Sequence, residues 1–175
     1  MRPLVLEITN NTDEMALTLP YRSIYVVEIV EAKEKIVGNF LASNRKTVEK
    51  MTASGVNDFV IILLPMMTNI TELSLTNYVA MNNFMYLNVD MPNLKTLVLV
   101  DASSFIDHIQ SHQIETLKVS ELPWSTVCVG GDWDDFLESC ENLKELHMRN
   151  FVRDIDLSKF GFSLSTLVLD GYYNP

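Results

Sequence analysis

The chain has 175 residues, enough for one domain, and 47% of them are hydrophobic, so a sizeable core can be buried. Its 23 acidic and 13 basic side chains leave a net charge of −10, a negative field that repels phosphate backbones and argues against nucleic-acid binding. Two cysteines, Cys128 and Cys140, are too few for a disulfide framework, and the longest apolar run, residues 59–67, contains Pro65 and falls well short of the roughly twenty residues that a membrane span needs.

Taken in chain order, the predicted elements alternate between strands and short helices. Met1-Leu4-Leu6 and Ile24-Val27-Ile29 are weak copies of a phrase apolar-x-x-apolar-x-apolar, whose last two positions put two side chains on one face of a strand. Ile36, Val37, Phe40 and Leu41 then have helical spacing within Glu34 to Leu41. Val48-Met51-Ala53 is the next weak copy. Asn57-Asp58 can cap a helical run from Phe59 to Met66, with Pro65 in its last turn or ending it. Clear copies follow at Ile70-Leu73-Leu75 and Leu94-Leu97-Leu99, a helical stretch with Phe105, Ile106 and Ile109 after Ser103-Ser104, and another copy at Ile114-Leu117-Val119. An irregular loop, residues 122–132, carries Trp124 and Gly130-Gly131. Asp132 to Cys140 has the pattern of an acid-capped helix with Trp133, Phe136, Leu137 and Cys140 inward. The last copies are Leu143-Leu146-Met148 and Leu164-Leu167-Leu169, with a short turn predicted between Asp154 and Phe160.

The middle residue of the phrase falls at 4, 27, 51, 73, 97, 117, 146 and 167. A period of roughly 20–29 residues carrying L-x-x-L-x-L looks like a leucine-rich repeat. The resemblance implies an α/β fold: a curved solenoid of about eight irregular repeats, parallel strands on the concave face and short helices on the convex face, in one domain over 1–175. The turns Met67-Thr-Asn-Ile-Thr-Glu-Leu, Met91-Pro-Asn-Leu-Lys-Thr-Leu and Cys140-Glu-Asn-Leu-Lys-Glu-Leu are similar to those of intracellular F-box leucine-rich repeat proteins. Their Asn69, Asn93 and Asn142 are expected to end each helix, with a tolerance for left-handed backbone. No F-box helices precede the repeats and neither end shows a cap, so the chain reads as a fragment of a longer protein, and its uncapped ends suggest a homodimer.

If strands line the concave face, the residues between the phrase positions point outward. The expected binding surface is Thr96, Val98, Val100, Thr116, Lys118, Glu145, His147 and Arg149, with Trp124 at the loop. Thr96, Val98, Val100 and Thr116 form an apolar patch, and Lys118, His147 and Arg149 a basic edge flanked by Glu121 and Glu145. The plain alternative is a solvated sheet face, since Thr and Val also suit strands by propensity. Catalytic and metal patterns are weak. His108 and His112 stand four apart without a third zinc ligand, and the sequence holds no G-x-S-x-G elbow and no phosphate-binding glycine loop. Cys140 in a buried helix is expected to be inert.

The expectation is therefore a protein-interaction module that binds a protein ligand, with no enzymatic activity, cofactor, metal, nucleic acid or membrane. Its resemblance implies substrate recognition for a ubiquitin ligase as one version, in the cytoplasm or nucleus. The alternative is an extracellular or innate-immune recognition fragment, which the sequons at Asn10 and Asn69 favour.

Overall fold

The computed structural model describes residues 4–9, 24–30, 34–55, 58–78, 88–110, 112–121, 133–150, 156, 158 and 164–171. The apolar phrases become strands because their alternation can hide one face while leaving the other wet. The strands are β1 (Leu4–Thr9), β2 (Ile24–Val30), β3 (Lys50–Ser54), β4 (Glu72–Thr76), β5 (Val89–Asp90), β6 (Thr96–Val100), β7 (Ile109–Gln110), β8 (Thr116–Ser120), β9 (Glu145–Arg149) and β10 (Thr166–Asp170). Helices α1 (Glu34–Asn44), α2 (Asp58–Leu63) and α3 (Trp133–Ser139) lie between them, with 3-10 turns at Leu64–Met66 and Ser103–Asp107.

The result is a mixed α/β fold built on one open, parallel eight-stranded sheet in the order β1-β2-β3-β4-β6-β8-β9-β10. The two-residue strands β5 and β7 pair separately, also in parallel. From β3 onward the phrases align residue for residue: Met51, Leu73, Leu97, Leu117, Leu146 and Leu167 share one line. The first copy is displaced. Leu6 and Ile8, not Leu4 and Leu6, pair with Val27 and Ile29, and the register slips between Leu4 and Val5.

One sheet face is dry. Val27, Ile29, Leu73, Leu75, Leu97, Leu99, Leu117 and Leu146 are all buried, in one cluster with Phe40 and Leu41 of α1, Ile61 of α2, Phe105 and Leu137. Helices α1 and α2 pack on each other, and Gly38 permits this: a Cβ there would meet the Phe59 ring at 3.0 Å. Pro65 sits in the 3-10 turn after α2, where its fixed φ is tolerated. The helix predicted after Ser103 is that single 3-10 turn, and Ile109 belongs to β7. The loop at 122–132 with Trp124, the turn predicted between Asp154 and Phe160 (except Asp156 and Ser158), and Asn10 lie outside the described residues.

Backbone hydrogen bonds tie each strand entry to the strand before it. Thr71 N donates to Glu49 O, Lys95 N to Thr71 O, Glu115 N to Lys95 O, Lys144 N to Glu115 O and Ser165 N to Lys144 O, at 2.8–2.9 Å. Asn69, Asn93 and Asn142 extend this ladder. They have no left-handed backbone; instead their Nδ2 groups donate to Lys46 O (2.7 Å), Thr68 O (2.8 Å) and His112 O (2.9 Å). Among the described residues, the left-handed ones are those that follow the strands: Gly55, Asn77, Asp101, Asn150 and Gly171, with φ from 51° to 64°. The left-handed backbone expected just before each strand therefore lies just after it.

Among the described residues no helix is long and apolar enough to cross a membrane.

Candidate functional site

The outward sheet face carries three rows of side chains fixed by register. The first runs through Lys50, Glu72, Thr96, Thr116, Glu145 and Thr166; the second through Glu28, Thr52, Ser74, Val98, Lys118, His147 and Val168; the third through Val30, Ser54, Thr76, Val100, Ser120, Arg149 and Asp170. Five of the expected site residues come together. Val98, Val100, Lys118, His147 and Arg149 line one hollow of about 510 Å³, completed by Ser120 and by Leu99 and Val119 at its floor. Thr96 and Thr116 line a smaller neighbouring hollow of about 210 Å³ with Thr71, Glu72, Lys95 and Glu115. Glu145 stands beside Thr116 in register, its Oε2 3.8 Å from His147 Nε2. Trp124 is outside the described residues.

Ser120 was not among the expected site residues. Its position was nonetheless readable, since it stands between Val100 and Arg149 in the third row.

Charges divide between the two ends of the strands. At the entry end they are matched: Lys50 pairs with Glu72, while Glu115 receives Lys95 Nζ at 3.2 Å and Lys144 Nζ at 2.6 Å. The hydrogen bonds from Lys144 and then Lys95, with their charges, hold the Glu115 carboxyl below its ordinary range. At the exit end the cations are loosely held. Arg149 Nε is 3.7 Å from Asp170 Oδ2, beyond hydrogen-bond reach. Among the described residues Lys118 has no hydrogen bond or ion pair.

The register fixes the layout of the hollow. Val98, Lys118 and His147 lie side by side on β6, β8 and β9, and Val100, Ser120 and Arg149 lie two residues further on. The valines of β6 therefore face His147 and Arg149 of β9, with the Lys118 ammonium and the Ser120 hydroxyl between them. This is an arrangement for holding a side chain of mixed character.

Beneath the opposite face lies a polar cluster that the sequence did not reveal. Tyr78 Oη donates to Asp58 Oδ1 at 2.7 Å, and the His108 ring stands edge-on to Tyr78 at 6.5 Å. All three are buried. Burial first, then the Asp58 hydrogen bond and charge, pushes the Tyr78 phenol above its usual range. His108 and His112 do not share a helix: His108 is interior, and His112 is exposed with Nδ1 3.1 Å from Ser139 O. Among the described residues no three His, Cys, Asp or Glu side chains are grouped to hold a metal ion. Cys140 lies just past α3, fully buried, and burial pushes its thiol up to about 12.

Comparison with protein-family models, with curated proteins and with solved structures found no match for the chain.

Proposed function

We propose that the chain is a leucine-rich repeat solenoid that recognises a protein partner on the outward, concave face of its sheet. The observation that carries this reading is the register. Six phrases from Met51 to Leu167 fall on one line across consecutive parallel strands, although 20–29 residues separate them. Such a stack spends its inward rows on the core and leaves its outward rows free to vary for a ligand. The entry-end ladder of backbone and asparagine hydrogen bonds supports the same reading, because it repeats the same contact from unit to unit.

The test is affinity capture with the whole chain against a bait carrying Val98→Glu, Lys118→Glu and His147→Glu. A partner bound by the first and lost by the second is the expected result. Hydrogen exchange should then show that the recovered partner protects β6, β8 and β9. A partner retained equally by both baits would refute the reading of this face.

A further inference from the structure

We propose that the hollow over β6, β8 and β9 takes an extended acidic segment of the protein partner, with an aliphatic side chain against Val98 and Val100 and a carboxylate held by Lys118 and Arg149. This rests on the reading of the face as a protein-binding surface and adds the chemistry of what it binds.

Charge complementarity carries the inference. The chain is acidic overall, at net −10, yet among the described residues the lining of this hollow holds Lys118, His147 and Arg149 and no carboxylate. The nearest acids are only loosely engaged. Glu145 is 3.8 Å from His147 and Asp170 is 3.7 Å from Arg149, and Lys118 has no partner among the described residues. The lysines at the entry end of the strands are already matched by Glu72 and Glu115. An acidic segment is thus repelled by most of the surface and attracted here, which sets its position as well as its affinity. A basic segment would be drawn elsewhere.

Spacing sets the pattern of the ligand. Neighbouring strands lie about 4.8 Å apart, so the valines of β6 and Arg149 of β9 are separated by about 10 Å, with Lys118 on β8 between them. A chain crossing the strands as an extended polyproline II helix advances about 3.1 Å per residue and returns its side chains to the same face about every three residues. An aliphatic residue seated on the valines therefore places a Glu or Asp about three residues away over the cations.

The probe is a pool of fluorescein-labelled short peptides with Leu or Val about three residues from Glu in a Gly/Ser background. Matched pools carry Gln, Lys or phosphoserine in place of Glu, and binding to the full chain is read by anisotropy. The Glu pool should bind about tenfold more tightly than the Gln pool, with an affinity that falls as salt rises. Lys118→Glu with Arg149→Glu should abolish that preference and favour the Lys pool. Both side chains are exposed, so thermal melts should match those of the parent; Lys118→Gln with Arg149→Gln gives the same comparison without charge reversal. Equal binding of the Glu and Gln pools, binding of the phosphoserine pool alone, binding of none, or no effect of either double variant would each overturn the proposal. If a captured partner is lost on Val98→Glu but does not respond to neutralising its own acidic segment, the acidic ligand fails while the binding face stands. If Val98→Glu leaves capture intact, the face itself fails.

Discussion

Leu117 and Leu167 occupy the same position of the apolar phrase and lie on one line of the register, separated by Leu146. Their surroundings differ. Leu117 is 0% exposed between Leu97 and Leu146, whereas Leu167, on the edge strand β10, is 45% exposed. Truncating a fully buried leucine to alanine removes its transfer free energy and leaves a cavity that neighbours only partly fill, at a cost of about 2–5 kcal/mol. At Leu167 only about half of the transfer value of roughly 1.5–3 kcal/mol is at stake, and no closed cavity forms. The expected cost there is about 1 kcal/mol. Leu117→Ala should therefore cost about 2 kcal/mol more than Leu167→Ala, a large share of a typical domain stability of about 5–15 kcal/mol. Urea unfolding followed by circular dichroism reads both as midpoint shifts, provided that the slope is unchanged. Equal costs would mean that β10 is covered in solution as fully as β8, and the reasoning from edge exposure would be wrong.

Other substitutions separate backbone, polar and thiol effects. At Asp101, whose φ is 51°, Asp101→Val should cost about 1–2 kcal/mol and Asp101→Gly should be near neutral, compared by the same unfolding assay. Tyr78→Phe removes a buried donor from Asp58 and should cost about 1–3 kcal/mol with little change in the far-ultraviolet spectrum. For Cys140, a folded value of about 12 lies above the ordinary thiol value of about 8.5, so the native state binds the extra proton between them. Its contribution is complete below pH ~8.5 and declines as pH rises toward 12, by at most about 1.4 kcal/mol per unit; Cys140→Ala should flatten stability measured between pH ~8.5 and ~9.5, and native protein should react with a thiol reagent at Cys140 only on unfolding.

Which parts of the molecule were legible follows from the physics of each signal. The strands β4, β6, β8, β9 and β10 were readable because a period of two with leucines is unambiguous once one face is dry. The same period misled at β1. Leu4, Leu6 and Ile8 all alternate, so the phrase slides by two residues without changing its pattern, and only pairing with Val27 and Ile29 fixes it. Strands β5 and β7 are two residues each and too short to show any period. The asparagines before the strands stand out in the sequence, but their role does not. Their acceptors, the carbonyls of Lys46, Thr68 and His112, lie 23–30 residues away, where no local rule looks. The hollow was legible as rows of outward residues. What was not legible is which cations are matched, because that depends on side chains meeting across strands: Glu115 takes both Lys95 and Lys144, and no acid among the described residues takes Lys118.

That division of charge yields a last prediction. Exposed ion pairs contribute little to folding, so the cluster at Glu115 does not hold the sheet together; the buried rows do. Its effect is on what else the face attracts. With Glu115 in place, Lys95 and Lys144 are paired, while Lys118 and Arg149 at the hollow are not matched by a close carboxylate among the described residues. Glu115→Gln would free both ammonium groups at the entry end of β8 and β9, a few residues from Lys118. A screening length of about 8 Å at physiological salt is comparable to that separation, so the two cationic places would act as separate attractors. The variant should fold with an unchanged melting temperature and bind the acidic peptide pool at least as tightly. Its hydrogen-exchange footprint should spread from the exit end toward residues 94–96 and 114–116, and the discrimination between peptides whose Leu and Glu stand about three residues apart and peptides in which they are adjacent should fall. A footprint confined to the exit end, with discrimination intact, would show that the matched charges of the first row play no part in directing the ligand.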